Sequence, residues 1–240
     1  MHVERAPAKL TVSLRVTGVR ADGYHLIESE MVTLDHGDVL QFTDGDGLEV
    51  VGPCASGVPT GEDNLVRRAL ALTGRRARVR LDKQVPAGAG LGGGSADAAA
   101  VLRWAGCRDV GVAASLGADV AFCVVGGRAT VRGIGEVVDP LPFVDRTFTL
   151  LVPPLPVNTA KVYRAWDELG GPPAPTGSVN DLEAAALAVA PALAEWRDRL
   201  AAATGDRPQL AGSGGTWFVE GVFPGNGRIV ARTVPAATGI

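Results

Sequence analysis

The sequence predicts an α+β fold in two domains, and three observations carry that prediction. Alternating apolar residues near the N-terminus indicate a β-hairpin, and a later strand passes through a glycine-rich loop straight into an alanine-rich helix. From about Thr147 an apolar strand is followed by Pro153-Pro154-Leu155-Pro156. We therefore expect one domain at residues 1–144 and a second at residues 145–240, with the boundary near Val144.

Composition restricts the class of protein. The 240 residues are 46% hydrophobic, and a net charge of -3 gives no general attraction to nucleic acid or anionic membranes. Three widely spaced cysteines and three histidines complete neither a disulfide framework nor a zinc pattern. We find no apolar signal-peptide core and no apolar run near the roughly 20 residues of a spanning helix. The expectation is a cytoplasmic protein that binds neither nucleic acid nor membrane.

The N-terminal hairpin places polar residues opposite an apolar face. Apolar residues alternate from Leu10 to Val16, Asp22-Gly23 supplies the turn, and Tyr24 to Leu34 and Asp35 to Phe42 are predicted as the next two strands. Lys9 and Thr11 fall on the face opposite the apolar set. From the residues alone, the alternatives are a solvated strand-end lysine for Lys9 and a half-buried strand aromatic for Tyr24.

The glycine-rich loop after Pro86 has the layout of an anion site. Glycines let the backbone approach a phosphate closely, and the N–H groups of the following helix turn point at the anion. Ser95 and Asp97 lie at the N-cap or in the first turn, where the Ser95 hydroxyl could also face a phosphate or its magnesium ion. The five glycines within seven residues are Gly88, Gly90, Gly92, Gly93 and Gly94.

Two other phosphate motifs do not fit this loop. Gly88-x-Gly90-x-x-Gly93 matches the dinucleotide fingerprint, but it lies more than eighty residues into the chain and not at a first β-α turn. A Walker loop needs a lysine between its last glycine and the serine, whereas Ser95 directly follows Gly94. A loop without a ligand is the remaining alternative, and the strong helix former behind it argues against that.

Four other segments of the sequence contain further candidate residues. Asn64 or Asp63 is placed to cap a helix, and so is Asp119 after Gly117-Ala118. Thr159 and Tyr163 stand four residues apart, which puts both on one face of a helix. A second glycine-rich turn, Gly212-Ser213-Gly214, precedes a strand and could be a plain tight hairpin. The helix that starts near Ser178 is expected to break at Pro191 and to end near Ala203.

Together these motifs resemble the galactokinase, homoserine kinase, mevalonate kinase and phosphomevalonate kinase (GHMP) superfamily, whose phosphate loop is similar to Pro86-x-Gly88-x-Gly90-Leu91-Gly92-x-x-Ser95. Within it the chain looks most like the kinases of 4-diphosphocytidyl-2-C-methylerythritol in the non-mevalonate isoprenoid pathway. The resemblance implies a domain like domain 2 of ribosomal protein S5, followed by a ferredoxin-like domain. It also implies transfer of the γ-phosphoryl of ATP, with Mg²⁺, to the 2-hydroxyl of that substrate.

The resemblance implies a role for each motif. It makes Lys9 and Asp119 the catalytic pair and Ser95 a candidate Mg²⁺ ligand. Residues implied in ATP binding are Asn64, Lys83, Pro86, Gly88, Gly90, Leu91, Gly92, Gly93, Gly94 and Ser95. Residues implied in substrate binding, with the aromatic rings on the cytosine, are Thr11, Tyr24, His25, Thr159, Tyr163, Gly212, Ser213 and Gly214.

The sequence departs from the pattern and leaves rivals open. Thr11 and Ala121 stand where the family usually has asparagine and proline, and the connections after Leu102 and after Phe218 are short enough that a helix behind the site could be missing. A sibling kinase with another alcohol substrate would not need Tyr24, His25 and Tyr163. A nucleotide-binding paralogue without turnover and, more weakly, a nicotinamide dehydrogenase are the other readings. Both a monomer and a homodimer are compatible with the sequence.

Overall fold

The computed structural model describes residues 1–236 and has ten strands and seven helices in that range. The strands of the first sheet are His2–Val19 (β1), His25–Thr43 (β2), Gly47–Val51 (β3), Arg78–Asp82 (β4), Arg128–Gly133 (β5) and Val137–Leu141 (β6). Those of the second are Thr147–Leu151 (β7), Gln209–Leu210 (β8), Trp217–Glu220 (β9) and Arg228–Arg232 (β10). The helices are Leu65–Leu72 (α1), Gly93–Trp104 (α2), Val110–Leu116 (α3), Ala118–Val125 (α4), Thr159–Glu168 (α5), Glu183–Val189 (α6) and Leu193–Thr204 (α7).

The long hairpin of β1 and β2 is the backbone of the first sheet. The two strands pair antiparallel from His2 opposite Phe42 to Val19 opposite His25. β1 takes one edge of β2, and β5 and β4 share the other edge. β6 extends the sheet antiparallel from β5, and β3 extends it parallel to β4. Shifts in the β1–β2 register on either side of Lys9 and Thr11 redirect these residues locally.

The prediction of two strands between Tyr24 and Phe42 was wrong, because β2 runs through Gly37 without a break. Gly37 pairs with Pro7, and a Cβ on this glycine would lie 2.4 Å from the Ala6 carbonyl oxygen. The glycine therefore lets β1 approach β2 closely, and it does not mark a turn.

Helix α2 packs against the first sheet through small side chains. Ala96, Ala98, Ala99 and Ala100 are all buried, together with Val101 and Leu102. Alanine lets the helix come close to the sheet while keeping high helix propensity. The same core contains apolar residues of α1, α3 and α4, with Phe122 fully buried. The glycine-rich loop is thus fixed to a rigid helix.

The second sheet is antiparallel in the order β10-β7-β9-β8, and apolar residues of α5, α6 and α7 pack with it. A separate core joins the two sheets, with Leu10 and Leu34 of the first against Phe148, Leu150 and Phe218 around the second. The α+β fold is confirmed. The boundary near residue 144 falls between β6 and β7 and stays a prediction.

The two short connections still hold regular structure. Helix α3 lies in the segment between α2 and Asp119, and β10 follows Phe218 and completes the second sheet. The break at Pro191 is confirmed, since α6 ends at Val189 and α7 begins at Leu193. The helix expected from Ser178 starts only at Glu183, because the Asn180 side chain closes a turn onto Leu182 N.

Replacement of Leu102 by alanine tests the core beneath α2. Leu102 is fully buried, so Leu102→Ala should lower the free energy of unfolding by about 2–5 kcal/mol. The matched control is Leu72→Ala, because Leu72 ends α1 with 47% of its surface exposed. Urea unfolding should show a large loss for Leu102→Ala only. Equal losses for the two variants would contradict this account of the core.

Candidate active site

A cavity of about 700 Å³ lies where the first hairpin, the start of α2, the start of α4, helix α5 and the second glycine-rich turn meet. Residues singled out from the sequence that line it are Lys9, Thr11, Tyr24, His25, Ser95, Asp119, Thr159, Tyr163, Gly212 and Ser213. These residues come from strands of the first sheet, from three helices and from turns, and they are far apart in the chain. The cavity therefore brings together ten of the twenty predicted site residues: the catalytic pair and seven of the eight residues predicted to bind substrate, but only Ser95 of those predicted to bind ATP.

A lysine and a carboxylate form an ion pair in the middle of this cavity. Lys9 Nζ lies 3.1 Å from Asp119 Oδ2 and donates to Thr11 Oγ1 at 3.0 Å. The Lys9 side chain is 6% exposed and that of Asp119 is 32% exposed, so one partner is held rigidly while the other reaches solvent. Asp119 stands in the first turn of α4, where the helix dipole favours a negative charge. The capping interpretation of Asp119 was wrong, since Gly117 is the N-cap residue.

The glycine-rich loop is built around Lys9. Gly92 caps α2 with a φ of 66°, and a Cβ on it would lie 2.7 Å from Lys9 Cγ. Lys9 N donates to the Leu91 carbonyl at 2.9 Å. Ser95 follows in the first turn of α2 and is half-buried at the cavity wall. The loop, the start of α2 and the catalytic candidate Lys9 therefore form one packed unit.

Lys83 does not point into the cavity. Its ammonium donates to Asp38 Oδ2 and, at 2.8 Å, to Asp97 Oδ2, and all three side chains are nearly fully buried. Asp38 Oδ1 also accepts from the backbone N–H of Val85 at 2.9 Å. This cluster ties β2, the entrance of the loop and α2 together. The Lys83 side chain thus holds the loop from behind, and a role of Lys83 in ATP binding stays a prediction.

Charge in this cluster is unevenly balanced. Burial, with the nearby Asp38 carboxylate, raises the pKa of Asp97 to about 7, although Lys83 opposes the rise. Asp97 Oδ1 is buried and has no hydrogen-bond partner within residues 1–236, so it is the oxygen that suits a proton. Burial opposes the charge of Lys83, but the two carboxylates together outweigh it and raise the pKa of the ammonium.

Asn64 is committed to the start of α1. Its Oδ1 accepts from Val66 N at 2.8 Å and its Nδ2 donates to the Pro59 carbonyl at 2.6 Å. The capping role considered from the sequence is therefore real, and both ends of the amide are occupied. Its role in ATP binding stays a prediction.

The second glycine-rich turn lies directly on the first. A Cβ on Gly214 would lie 2.3 Å from Gly90 Cα, and Thr216 Oγ1 donates to the Ala89 carbonyl at 2.6 Å. Asn180 Nδ2 donates to the carbonyls of Leu210 and Gly212, at 2.9 and 2.7 Å, and so fixes the turn from behind. At the cavity wall Thr159 Oγ1 and Ser213 Oγ are hydrogen-bonded at 2.9 Å.

Tyr24, His25 and Tyr163 form a part of the cavity wall that we call the aromatic end. The His25 ring lies against Tyr163, with centroids 4.7 Å apart and planes 30° from parallel. Tyr24 is 60% exposed at the hairpin turn. Burial, with the Asp119 charge, raises the pKa of Tyr163 to about 12, so its hydroxyl stays protonated. A base held between Tyr24 and Tyr163 would therefore also meet His25; the sandwich itself stays a prediction.

Known proteins are similar to this chain in sequence and in fold. Residues 64–127 match the family model for the GHMP kinases N terminal domain. The 4-diphosphocytidyl-2-C-methyl-D-erythritol kinase of Paracoccus denitrificans is 41% identical over 233 residues, covering 90% of this chain and 85% of the relative. That of Paramagnetospirillum magneticum is 38% identical, covering 97% and 93%. This chain belongs to the 4-diphosphocytidyl-2-C-methyl-D-erythritol kinase family.

Solved structures agree with this membership of the kinase family. A crystal structure of 4-(cytidine 5'-diphospho)-2C-methyl-D-erythritol kinase is 30% identical with a TM-score of 0.76, covering 97% of this chain and 99% of that one. A mevalonate kinase with a TM-score of 0.59 is only 9% identical and shows the fold alone. The GHMP kinase fold is confirmed, and the chain is an ATP-dependent small-molecule kinase.

Two negative findings concern residues 1–236 of this kinase. No helix in that range is long and apolar enough to cross a bilayer. No group of three or more His, Cys, Asp or Glu side chains there is arranged to hold a metal ion.

Sequence reasoning missed three residues of this kinase that support the site. Asp38 is distant in sequence from the loop that it holds, so no local pattern announces it. Asn180 lies in an Asn-Asp-Leu segment that reads only as a helix start. Asp167 Oδ1 lies 2.8 Å from His25 Nε2, within hydrogen-bond distance. The sequence could have identified this residue, because Asp167 follows Tyr163 by four residues and so lies on the same face of α5.

Replacement of Lys83 by methionine tests the buried cluster. Lys83→Met leaves two buried carboxylates without a cation, so the free energy of unfolding should fall by about 3–5 kcal/mol. Arg80→Met, at an exposed position of β4 just before Lys83, is the control and should have little effect. Urea unfolding measures both variants. A stable Lys83→Met protein would show that the cluster is not what holds the loop.

Replacement of Asp97 by asparagine tests its raised pKa. The folded protein keeps a proton on Asp97 up to about pH 7, whereas the unfolded chain releases it near the ordinary value of 3.8. This group therefore lowers stability as pH rises through that window. Between about pH 5 and about pH 7.5, the free energy of unfolding should fall less in Asp97→Asn than in the wild type. The control is Asp44→Asn, at an exposed carboxylate, which should show the same pH dependence of stability as the wild type. If Asp97→Asn also showed the wild-type pH dependence, the raised pKa of Asp97 would be refuted.

Proposed function

We propose that the cavity transfers the γ-phosphoryl of ATP to the 2-hydroxyl of 4-diphosphocytidyl-2-C-methyl-D-erythritol, a step of the non-mevalonate isoprenoid pathway. The observation that carries this proposal is the Lys9–Asp119 pair, 3.1 Å apart, in one cavity with the start of α2 and the aromatic end. Relatives at 37–41% identity bear the name of this kinase. A charge pair between a phosphate loop and a base-binding end is the layout that such a reaction needs.

The nucleotide phosphates would lie on the glycine-rich loop, which ends at Gly92, the N-cap residue of α2. Three of its glycines, Gly88, Gly90 and Gly92, have positive φ values, which turn backbone N–H groups in ways that other residues rarely adopt. The first turn of α2 adds unpaired N–H groups and the positive end of the helix dipole. Backbone donors, and not a lysine of the loop, would thus hold the triphosphate.

Phosphoryl transfer depends on position and charge more than on covalent chemistry by the protein. The acceptor hydroxyl oxygen forms a bond to the γ-phosphorus as the bond to the β-phosphate oxygen breaks, and ADP leaves. Asp119 accepts the hydroxyl proton or orients it, and its carboxylate has the solvent-facing surface needed to receive a substrate. Lys9 balances the charge that grows on the transferring oxygens, held in place by Thr11 and the close contact with Gly92.

The cavity offers few protein ligands for the metal ion of the reaction. Ser95 offers one hydroxyl at the cavity wall, and residues 1–236 contain no group of three or more His, Cys, Asp or Glu side chains arranged to hold a metal ion. This donor set fits an Mg²⁺ that takes most of its ligands from phosphate oxygens and water, with Ser95 beside them. Bound there, Mg²⁺ would neutralise phosphate charge.

The cytidine end of the substrate would lie among Tyr24, His25 and Tyr163. Aromatic faces stack on a pyrimidine, and the histidine edge can form a hydrogen bond with it. Thr159, Ser213 and Gly212 line the wall between this end and the phosphate loop. The protein would act in the cytoplasm on this small molecule, as a monomer or homodimer, without nucleic acid.

The Asp119→Asn variant tests the proposed chemistry. The amide keeps the size of the carboxylate but cannot take the hydroxyl proton, so turnover should fall about a hundredfold or more. The measurement is ADP release with Mg²⁺, ATP and 4-diphosphocytidyl-2-C-methyl-D-erythritol, with and without the alcohol. ATP affinity should be retained, because Asp119 lies outside the glycine-rich loop.

The control for this experiment is Asp206→Asn, which makes the same change at an exposed turn after α7. It should turn over at the wild-type rate. Wild-type protein that binds ATP without phosphorylating this alcohol would refute the substrate and favour a sibling kinase. Full activity of Asp119→Asn would refute the role of the carboxylate.

A further inference from the structure

Asp167 connects the helix that closes the cavity to the hairpin on the other side. It stands in the last turn of α5, and its Oδ1 lies 2.8 Å from His25 Nε2 at the start of β2. Both residues line the cavity. The His25 side chain is 9% exposed, whereas that of Asp167 is 50% exposed. The histidine is therefore the buried partner, and the carboxylate reaches it from the rim.

Aromatic packing holds the His25 ring in one orientation. Tyr163 lies against its face at 4.7 Å, and Trp166 meets it edge-on at 5.6 Å. Trp166 is itself held by a bond from its Nε1 to the Pro172 carbonyl at 3.0 Å. With the ring held in this way and Nε2 directed at Asp167, Nδ1 is the nitrogen left for a ligand. Within residues 1–236 the structure gives Nδ1 no hydrogen-bond partner.

The partner of Nε2 decides which nitrogen of the neutral ring carries the proton. An ionised carboxylate only accepts hydrogen bonds, so His25 must donate to it from Nε2. In the neutral imidazole the other nitrogen is then a bare acceptor. Asp167 thereby makes Nδ1 a group that binds a donor.

Helix energetics give no local reason for a carboxylate at this position. A negative charge in the last turn of a helix faces the negative end of the helix dipole. α5 has no basic residue in its last turn to offset it. The favourable interaction that Asp167 does make is the one with His25.

We propose that Asp167 is a positioning residue that makes the site prefer cytosine to uracil. Cytosine presents an amino group at C4, which can donate to Nδ1 of His25, whereas uracil presents a carbonyl oxygen at the same position. Two acceptors facing each other in a partly buried site leave both without a partner, which disfavours uracil. This inference rests on the proposed function, because it needs the pyrimidine at the aromatic end of the cavity.

The test compares the cytidine substrate with its uridine counterpart, which differs only in the base. Wild-type kcat/KM should favour cytidine by about tenfold to a hundredfold, as one mispaired buried polar group costs. The amide of Asp167→Asn can donate to Nε2 as well as accept from it. The proton of the neutral ring can then lie on Nδ1 instead of Nε2. In this variant the preference for cytidine should fall about tenfold. The change should lie mainly in KM, since Lys9 and Asp119 are untouched.

Two further measurements separate positioning from general damage. Glu168→Gln removes a charge from the neighbouring exposed residue of α5 and should keep the wild-type base preference. Nitrogen-15 NMR of the His25 ring in the free enzyme should show a proton on Nε2 and a bare Nδ1, and Asp167→Asn should lose this fixed state.

The outcomes distinguish this inference from the proposed function. Turnover of the cytidine substrate with the same base preference in wild type and Asp167→Asn would overturn the inference and leave the proposed function standing. A proton fixed on Nδ1 in the wild-type ring would also overturn it. No turnover of either substrate by the wild type would refute the proposed function, and the base preference with it.

Discussion

The active site depends on the close approach of two backbone turns. Gly90 of the first glycine-rich loop and Gly214 of the second leave no room for a side chain on either residue. Because both turns lack Cβ atoms at the contact, a segment of the second sheet can lie against the loop that follows β4. Thr216 adds a hydrogen bond across this contact, and Asn180 holds the second turn from the other side.

Buried charge supports the same loop from beneath. Asp38, Lys83 and Asp97 come from β2, the loop entrance and α2, and their mutual contacts fix the entrance relative to the helix. Burying these charges costs desolvation energy. Burial, together with the second carboxylate, Asp38, raises the pKa of Asp97 to about 7. Because the cluster lies directly behind the glycine-rich loop, we infer that its main role is to fix the position of the loop and not to stabilise the fold.

Sequence patterns predicted the α+β class and the glycine-rich loop, because both depend on short motifs. The family resemblance added ten of the twenty residues that line the cavity. The Lys9–Asp119 pair depended on resemblance, since nothing local to either residue announces the other. The buried ion pairs of Lys83 were not predicted, because Asp38 and Asp97 meet it only in three dimensions. β2 was divided in error between Leu34 and Asp35, although the strand runs on through Gly37, where the glycine allows a close contact with β1.

The apolar core between the two sheets has a mechanical consequence. Leu10 and Leu34 are buried against Phe148, Leu150 and Phe218, so opening the two sheets as a hinge would expose these side chains to water. The two ends of the cavity are thus kept at a set span. For the proposed reaction, an acceptor would then fit only if the distance between its base and its hydroxyl matched this span.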